Sequence, residues 1–374
     1  MRICLLGEAQ SIHIKRWAGW FAARGDDVVL VTLGLDSIPD VRIVRLPYAD
    51  RGASALLRKA SAIRRLVRQL DPDLVHAHQA VGFGLWGALS GRHPFVVSAW
   101  GSDVLVRPHE SMAQNLILRY VLRKADFCIP VAQHLAHRLR GYGLRSDFET
   151  IPMGVDLRRY PPVASESDRR PFRFVSTRSL EPIYDIPTLL RASKHILAAD
   201  PRIEGRVLGG GSLRADLERF AREQGILGRL RFEGPVGPDG AMDALAQARI
   251  YISTSRSDGT SVSLLEAMSR GCFPIVTDIP ANREWITDGA NGSLFPVGDA
   301  KALADRVLER MADDAALNLA SKTNIKLIRE RGDLDANLSR VRAIYERLLA
   351  VGGPKSGRRI PADETSVNLR MPQP

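Results

Sequence analysis

Cysteine is scarce in this sequence, with three in 374 residues: Cys4, Cys128 and Cys272, far apart and each set in an apolar run. That spacing offers no disulfide framework and no zinc ribbon, and it leads us to expect buried, reduced thiols in a cytoplasmic protein. Long hydrophobic runs are lacking too. No stretch reaches eighteen consecutive apolar residues, and the N-terminus enters a strand pattern within two residues with no cleavage-site pattern behind it. Neither a spanning helix nor an export signal is expected. Gly-x-Ser-x-Gly, GxxxxGK and HExxH are absent, which removes the hydrolase elbow, the P-loop and the zincin helix. No recognition helix, RNP or finger motif is present, so nucleic acid is not an expected partner even with a net charge of +11. That surplus still asks for anions of some kind. Apolar residues at 45% and charged residues at 25% exclude a disordered or fibrous chain.

What is present is an alternation of short branched apolar runs with longer segments of helical period, the pattern of βα units around parallel sheets. Strands are expected at 2–6, 28–31, 42–45, 74–76, 95–98, 127–131 and 149–152, with helices at 12–23, 55–69, 112–124 and 132–141. The scheme repeats with strands at 172–176, 206–208, 230–232, 250–253, 273–277 and 293–295, and helices from Ile186, Ser212, Ala241, Ser261 and Ala300. Pro161–Pro171, rich in Pro, Ser and charge, has the composition of a linker. The expected organisation is α/β: a domain over 1–160, a linker over 161–171 and a second domain over 172–334. A helix over 335–350 would follow, packing back on the first domain, and then a disordered tail over 351–374. Two open parallel sheets would face each other across a cleft and bind ligands beyond the carboxyl ends of their strands.

The strongest local signal follows the strand pattern at 250–253. Gly259 permits a tight turn, Thr260 or Ser261 can cap, and a helix runs from Val262 until Gly271 and Pro274 end it. Strand, small-residue turn and helix start aim free amides and the positive helix end at one spot, where an anion belongs. Asp258 and Glu266 bracket that spot. Carboxylates do not bind phosphate, so their partners there are hydroxyls, which means the sugar parts of a nucleotide sugar; the alternative is a turn residue and a solvated helix charge.

These residues resemble a glycosyltransferase of the retaining family 4 type, whose two Rossmann-like domains form the GT-B arrangement. The resemblance rests on Asp258 and Glu266 with seven residues between them, Ala267-Met268, Gly271-Cys-Phe-Pro274, Glu284, and Asp288-Gly-Ala-Asn-Gly292. It continues through Val75-His-Ala-His78, Trp100-Gly-Ser-Asp103, Ile151-Pro-Met-Gly-Val-Asp156, Ser176-Thr-Arg178 and Leu208-Gly-Gly-Gly-Ser212. It implies a donor that is a nucleotide-diphosphate sugar, UDP- or GDP-linked, with no metal needed. Glu266 would hold the ribose, amides near Ser261 and Val262 the distal phosphate, and Arg178 the leaving pyrophosphate. Asp258 would fix the sugar ring, with Gly209, Gly211 and Gly259 lining the donor side. The acceptor side would be the first loop, Gly7, Ser11 and His13, with Trp100 and Asp103. The implied work is sugar transfer with retention, in cell-surface polysaccharide or glycolipid synthesis.

Three positions depart from the family pattern. Asp258 stands where Glu is usual, Ile183 where a second cation usually follows Arg178, and Trp100 where a histidine is usual. Trp100 could stack on a sugar face or pack in the core. His76 and His78 alternate on one strand face, but no further Cys or His completes a zinc set. His78, nearer the carboxyl end, touches acceptor or transferred sugar in one reading and is a satisfied core histidine in the other. The triple Gly209–Gly211 lacks a glycine at position 214, where Arg stands, which disfavours a nicotinamide site. Asp71-Pro-Asp73 is a turn signal and not a metal-binding pair.

Between Arg51 and Leu70 no acidic residue occurs, while Arg51, Arg58, Lys59, Arg64, Arg65 and Arg68 flank an apolar stripe at helical spacing. Such a helix suits an anionic membrane surface, with a saccharide or lipid-linked acceptor and a peripheral location on the inner face; merely solvated arginines are the other reading. Two further function classes stay open: a nucleotide-sugar epimerase or hydrolase on the same fold, and a noncatalytic sugar-nucleotide binding subunit.

Overall fold

The computed structural model describes residues 1–34, 36–46, 53–163 and 170–351, without the side chains of 53–59 and 170–171. Arg51, the side chains of Arg58 and Lys59, the middle of the expected linker and the tail from 352 lie outside the described residues. The chain forms two compact units, Met1–Ile151 with the chain from Leu338, and Pro152–Asn337.

In the first unit the elements are β1 (Arg2–Leu6), α1 (Ile12–Ala22), β2 (Asp27–Thr32), β3 (Arg42–Arg45), α2 (Ala53–Leu70), β4 (Leu74–His78), α3 (Phe83–Ser90), β5 (Phe95–Ala99), α4 (Ser102–Leu105), α5 (Arg107–Glu110), α6 (Met112–Lys124), β6 (Phe127–Pro130), α7 (Gln133–Gly141) and β7 (Asp147–Phe148). The second unit has β8 (Arg170–Ser176), α8 (Ile186–Ala199), β9 (Glu204–Leu208), α9 (Arg214–Glu223), β10 (Leu230–Gly234), α10 (Pro238–Ala246), β11 (Ala248–Ser253), α11 (Val262–Ser269), β12 (Phe273–Thr277), α12 (Pro280–Arg283), β13 (Ser293–Phe295), α13 (Ala300–Met311) and α14 (Asp314–Arg331). Last comes α15 (Leu334–Val351), which starts in the second unit and passes into the first at Leu338.

Each unit holds one parallel sheet, ordered β3-β2-β1-β4-β5-β6-β7 in the first and β10-β9-β8-β11-β12-β13 in the second. Strands β4, β5 and β12 are buried at every position, because helices cover both faces of a parallel sheet and leave no solvated side to alternate with. In the first sheet strand order reverses between β1 and β4, and in the second between β8 and β11. Loops at the carboxyl ends of those four strands diverge, and open α/β sheets bind ligands at such switch points. The loops in question begin at Gly7, Gln79, Thr177 and Thr254.

Several boundaries differ from the sequence-based expectation. The units divide after Ile151, so 152–160 belong to the second, and Pro171 is already part of β8 rather than of a linker. Glu149–Pro152 is not a strand: β7 stops at Phe148, although Glu149 and Ile151 still donate to Cys128 and Pro130 carbonyls at 3.2 and 3.0 Å. Helix α14 escaped the periodicity reading because its buried face carries Ser321 and Asn324 among Leu317, Ala320 and Ile328. Asn324 Nδ2 donates to the carbonyls of Cys272 and Asn291, and its Oδ1 accepts from Asn291 Nδ2, so a polar core contact replaces the apolar one the pattern sought. All three cysteines are buried and unpaired with one another.

From Leu338 onward α15 is bound into the first unit. Arg342 pairs with the buried Asp26 at 2.7 Å, and the fully buried Tyr345 hydroxyl bonds His76 Nδ1 and stacks its ring on Phe21. Tyr345→Ala should therefore cost about 3–5 kcal/mol in urea unfolding followed by tryptophan fluorescence, and Tyr345→Phe, which keeps the ring, only about 1–2. A loss no larger than that of a surface substitution would show that this helix end is not part of the core.

Candidate active site

At the second switch point β8 ends in Ser176 and the chain turns outward through Thr177 to Arg178. The turn is held tightly against the loop after β9. Gly209 sits at φ 140°, and a Cβ there would lie 2.6 Å from the Arg178 carbonyl, so only glycine lets the two backbones approach. Leu180 N donates to the Gly210 carbonyl at 2.9 Å across the same contact. From the other side the loop after β11 is tied down by Thr254 Oγ1 to the Tyr184 carbonyl at 2.7 Å and Arg256 N to the Ile183 carbonyl at 2.9 Å.

The Arg178 guanidinium, 7% exposed, lies between these loops. Its Nη2 donates to Asp258 Oδ2 at 2.6 Å, and its Nη1 to both Ser261 Oγ and Ser263 Oγ at 2.7 Å. The Tyr184 ring lies under it at 4.1 Å from the centroid. Burial opposes the charge, but Asp258 and the Tyr251 and Tyr184 oxygens outweigh it and raise the Arg178 pKa above its ordinary value. Ser261 caps α11, accepting from Leu264 N at 3.3 Å. The Val262 and Ser263 amides, one and two positions into the helix, have no acceptor within it, and amides so placed at a helix start can bind an anion. Asp258 Oδ1 accepts from Gly259 N at 3.0 Å, which shapes the turn, and Glu266 is half-buried further along α11. The chemistry on offer is a fixed cation, free amides and a carboxylate within one hydrogen-bonded group.

The first switch point opens a cavity of about 390 Å³ lined by Gly7, Glu8, Gln10, Ser11, His78, Gln79, Phe83 and Trp100. Neither ring nitrogen of the buried His78 has a partner among the described residues, nor has the buried Trp100 Nε1. His78 lies 5.4 Å from the Trp100 ring and 4.9 Å from Trp17, centroid to centroid. Burial, with a smaller push from His13, lowers its pKa to about 3, so the imidazole is neutral and offers one donor and one acceptor. His76, its neighbour on the strand, is the opposite case: Nδ1 meets Tyr345 and Nε2 meets Ser98 Oγ at 2.8 Å.

The structure thus brings Arg178, Asp258, Gly259, Ser261, Val262 and Glu266 to one switch point and Gly7, Ser11, His78 and Trp100 to the other. Gly209 and Gly211 serve by backbone packing under the Arg178 loop, since a Cβ on Gly211 would meet the Leu180 carbonyl at 2.4 Å. His13 sits edge-on to Trp100 at 5.6 Å and does not line the cavity. Asp103 is a correction. It is 1% exposed, and its carboxylate accepts from Ala80 N at 2.6 Å, Gly101 N at 2.8 Å and Trp100 N at 3.0 Å, so it fastens the two loops that carry His78 and Trp100 instead of meeting an acceptor. Ser263, Tyr184, Tyr251, Gln79 and Phe83 were missed. Ser263 had a readable signal in its i, i+2 relation to the capping Ser261, whereas Tyr184 and Tyr251 reach the site only through tertiary folding.

Comparison with known proteins agrees with this division. The model for glycosyl transferase 4-like domains matches residues 2–131, and that for glycosyl transferases group 1 matches residues 162–326. The chain belongs to the family 4 glycosyltransferases. A phosphatidyl-myo-inositol mannosyltransferase of Mycobacterium leprae is 27% identical to it, with 92% of this chain and 94% of that protein aligned. Bacillus subtilis EpsD, a putative glycosyltransferase by its name, is 24% identical over 77% of this chain and 81% of its own. Among solved structures, sucrose-phosphate synthase from Thermosynechococcus elongatus superposes with a TM-score of 0.77 at 18% identity, covering 93% of this chain and 99% of that one. Anabaena HepE in complex with UDP and glucose gives 0.78 at 17%, covering 93% and 100%. The fold is therefore GT-B.

Among the described residues no three His, Cys, Asp or Glu side chains group to hold a metal, and no helix is long and apolar enough to cross a membrane. Two of the eight histidines of this glycosyltransferase, the buried His76 and His78, give its stability a pH dependence. Burial, and for His76 the neighbouring His78, depresses both below the ordinary 6.5, while the unfolded chain takes up its protons near that value. The folded state thus holds its full advantage above pH 6.5 and loses it as pH falls toward 3, by up to about 1.4 kcal/mol per pH unit for each histidine. Denaturant melts between those limits should show this slope, and His78→Gln should flatten it by about one histidine's share; an unchanged slope would contradict the burial of a neutral ring.

Proposed function

We propose that this glycosyltransferase takes a sugar from a uridine or guanosine diphosphate donor held by the second unit and passes it, with retention, to a hydroxyl of a lipid-linked polyol held by the first. The observation that carries the donor half is the hydrogen-bonded group of Arg178, Asp258, Ser261 and Ser263. When the bond between the anomeric carbon and its phosphate oxygen breaks, the electron pair stays on the diphosphate, and charge stabilisation aimed at that oxygen is the largest contribution such a site makes. Arg178 is buried and held between two loops by its hydrogen bonds and the Tyr184 ring, so it costs little reorganisation at that moment. Asp258 neutralises it when no donor is bound. Donor binding would draw the carboxylate onto the sugar hydroxyls and free the guanidinium for the diphosphate, while the Val262 and Ser263 amides take the distal phosphate and Glu266 the ribose. No metal is required of this arrangement.

The acceptor half rests on the cavity beside His78 and Trp100. Polyol hydroxyls both give and receive hydrogen bonds, which is what a neutral imidazole and an indole N–H ask for. Lipid linkage draws support from relatives named for phosphatidyl-myo-inositol. It also draws on Arg64, Arg65 and Arg68, which are exposed on α2, although Arg64 Nε also donates to the Leu89 carbonyl at 2.9 Å. The epimerase or hydrolase reading would release diphosphate with no acceptor present, and the binding-subunit reading would release none.

Arg178→Ala should lower kcat by about 10²–10³ with a smaller effect on donor affinity, because its charge matters most in the transition state. Asp258→Asn should do the reverse to the bare nucleoside diphosphate, binding it several-fold tighter by about the loss of one competing charge, while turnover falls. Free diphosphate measured over a panel of nucleotide sugars, with and without membrane lipid extract, reads both; weaker diphosphate binding by Asp258→Asn would contradict the exchange.

A further inference from the structure

Where the side chains of helix α2 are described, Ile63, Leu66, Val67 and Leu70 are buried, and Ser61, Arg64, Arg65, Arg68 and Gln69 are exposed. That described part offers a bilayer cations but no large apolar side chain. Helix α6 is built the other way round. Leu118, Val121 and Leu122 face the core, and a Cβ on Gly84 would come within 3.1 Å of Val121 Cγ1, which is how closely α6 lies on α3. The opposite face carries Met112, 75% exposed, and Leu116, 58% exposed, one turn apart, with the half-buried Tyr120 a turn further. Exposed Arg123 and Lys124 lie on the same side, Arg119 stands at its edge, and the helix MAQNLILRYVLRK contains no carboxylate. A soluble surface helix puts its charges outward and its large apolar groups inward; here two large apolar side chains and a set of cations share the outer face.

We infer that the outer face of α6 is a membrane-docking surface, with Met112 and Leu116 entering the acyl boundary and Arg119, Arg123 and Lys124 meeting anionic lipid headgroups. Charge complementarity selects that occupant: α6 sets cations and no carboxylate of its own beside two exposed apolar side chains, and an anionic bilayer meets both at one surface, headgroups to the cations and acyl chains to Met112 and Leu116. The position is apt, since α6 rides on α3, whose first residue, Phe83, lines the cavity assigned to the acceptor. This deepens the lipid-linked acceptor reading, and a vesicle assay, which needs no acceptor, separates its failure from the failure of that reading.

The test is co-sedimentation of the full chain with vesicles of phosphatidylcholine alone or mixed with phosphatidylglycerol, at low and high salt. M112Q/L116Q, two exposed positions, should lower partition onto the mixed vesicles about tenfold at both salt concentrations. R123Q/K124Q should lower it at low salt only, because headgroup attraction is screened. Unchanged circular dichroism and nucleoside diphosphate binding would show that both variants fold. Vesicle binding equal to the unsubstituted chain in both variants overturns the inference, as does self-association in solution that M112Q/L116Q abolishes.

Discussion

A guanidinium cannot be buried alone, and the second unit is arranged around that requirement. Arg178 is enclosed by loops after three strands, and taking its charge out of water is tolerable only because Asp258, Ser261 and Ser263 satisfy both terminal nitrogens. The surrounding backbone follows from this. Gly209 permits the approach from the β9 side, Thr254 and Arg256 fasten the β11 side to 183–184, and Ser261 both caps α11 and receives the arginine. The cation that we propose meets a leaving diphosphate is therefore already held between these loops, paired with a carboxylate. Ile183, at the place of a usual second cation, adds no charge of its own; its carbonyl holds the Arg256 amide instead.

The first unit has the same topology, with neutral histidines instead of a buried cation beside its switch point. His76 and His78 share a strand face and both are held neutral by burial, but one is satisfied by Tyr345 and Ser98 while the other is left open toward a cavity. A buried polar group without a partner among the described residues is costly in a folded protein, and this one, beside Trp100 Nε1 and a cavity of about 390 Å³, carries our proposal of a hydroxyl-rich ligand there. Asp103 spends its carboxylate on backbone amides to hold these loops in register.

Much of this was legible before folding was considered. The β/α alternation, the two parallel sheets and the capped turn at Ser261 follow from periodicity and capping chemistry, and the sequence already held Asp258 and, through the family resemblance, Arg178 as candidates. What it could not supply were the relations made by tertiary packing. Asp103 was a candidate through the resemblance carried by Trp100-Gly-Ser-Asp103, yet its oxygens are taken by amides from two loops. The division after Ile151 was hidden because Pro161–Pro171 has the more linker-like composition, while 152–160 join the second unit through contacts such as Tyr160 to Asp239. Helix α14 disguised its core face with asparagine and serine, and Tyr184 and Tyr251 gave no local sign of standing near a cation.

The central claim is that donor binding exchanges the partner of Asp258, from Arg178 to sugar hydroxyls. A crystal structure of the protein with an intact nucleoside diphosphate sugar measures that directly. The account predicts an Arg178–Asp258 separation opened from 2.6 Å to beyond ion-pair range, about 4 Å, with the guanidinium on the diphosphate and the carboxylate on the sugar. An ion pair still closed, with the diphosphate bound away from Arg178, would contradict it.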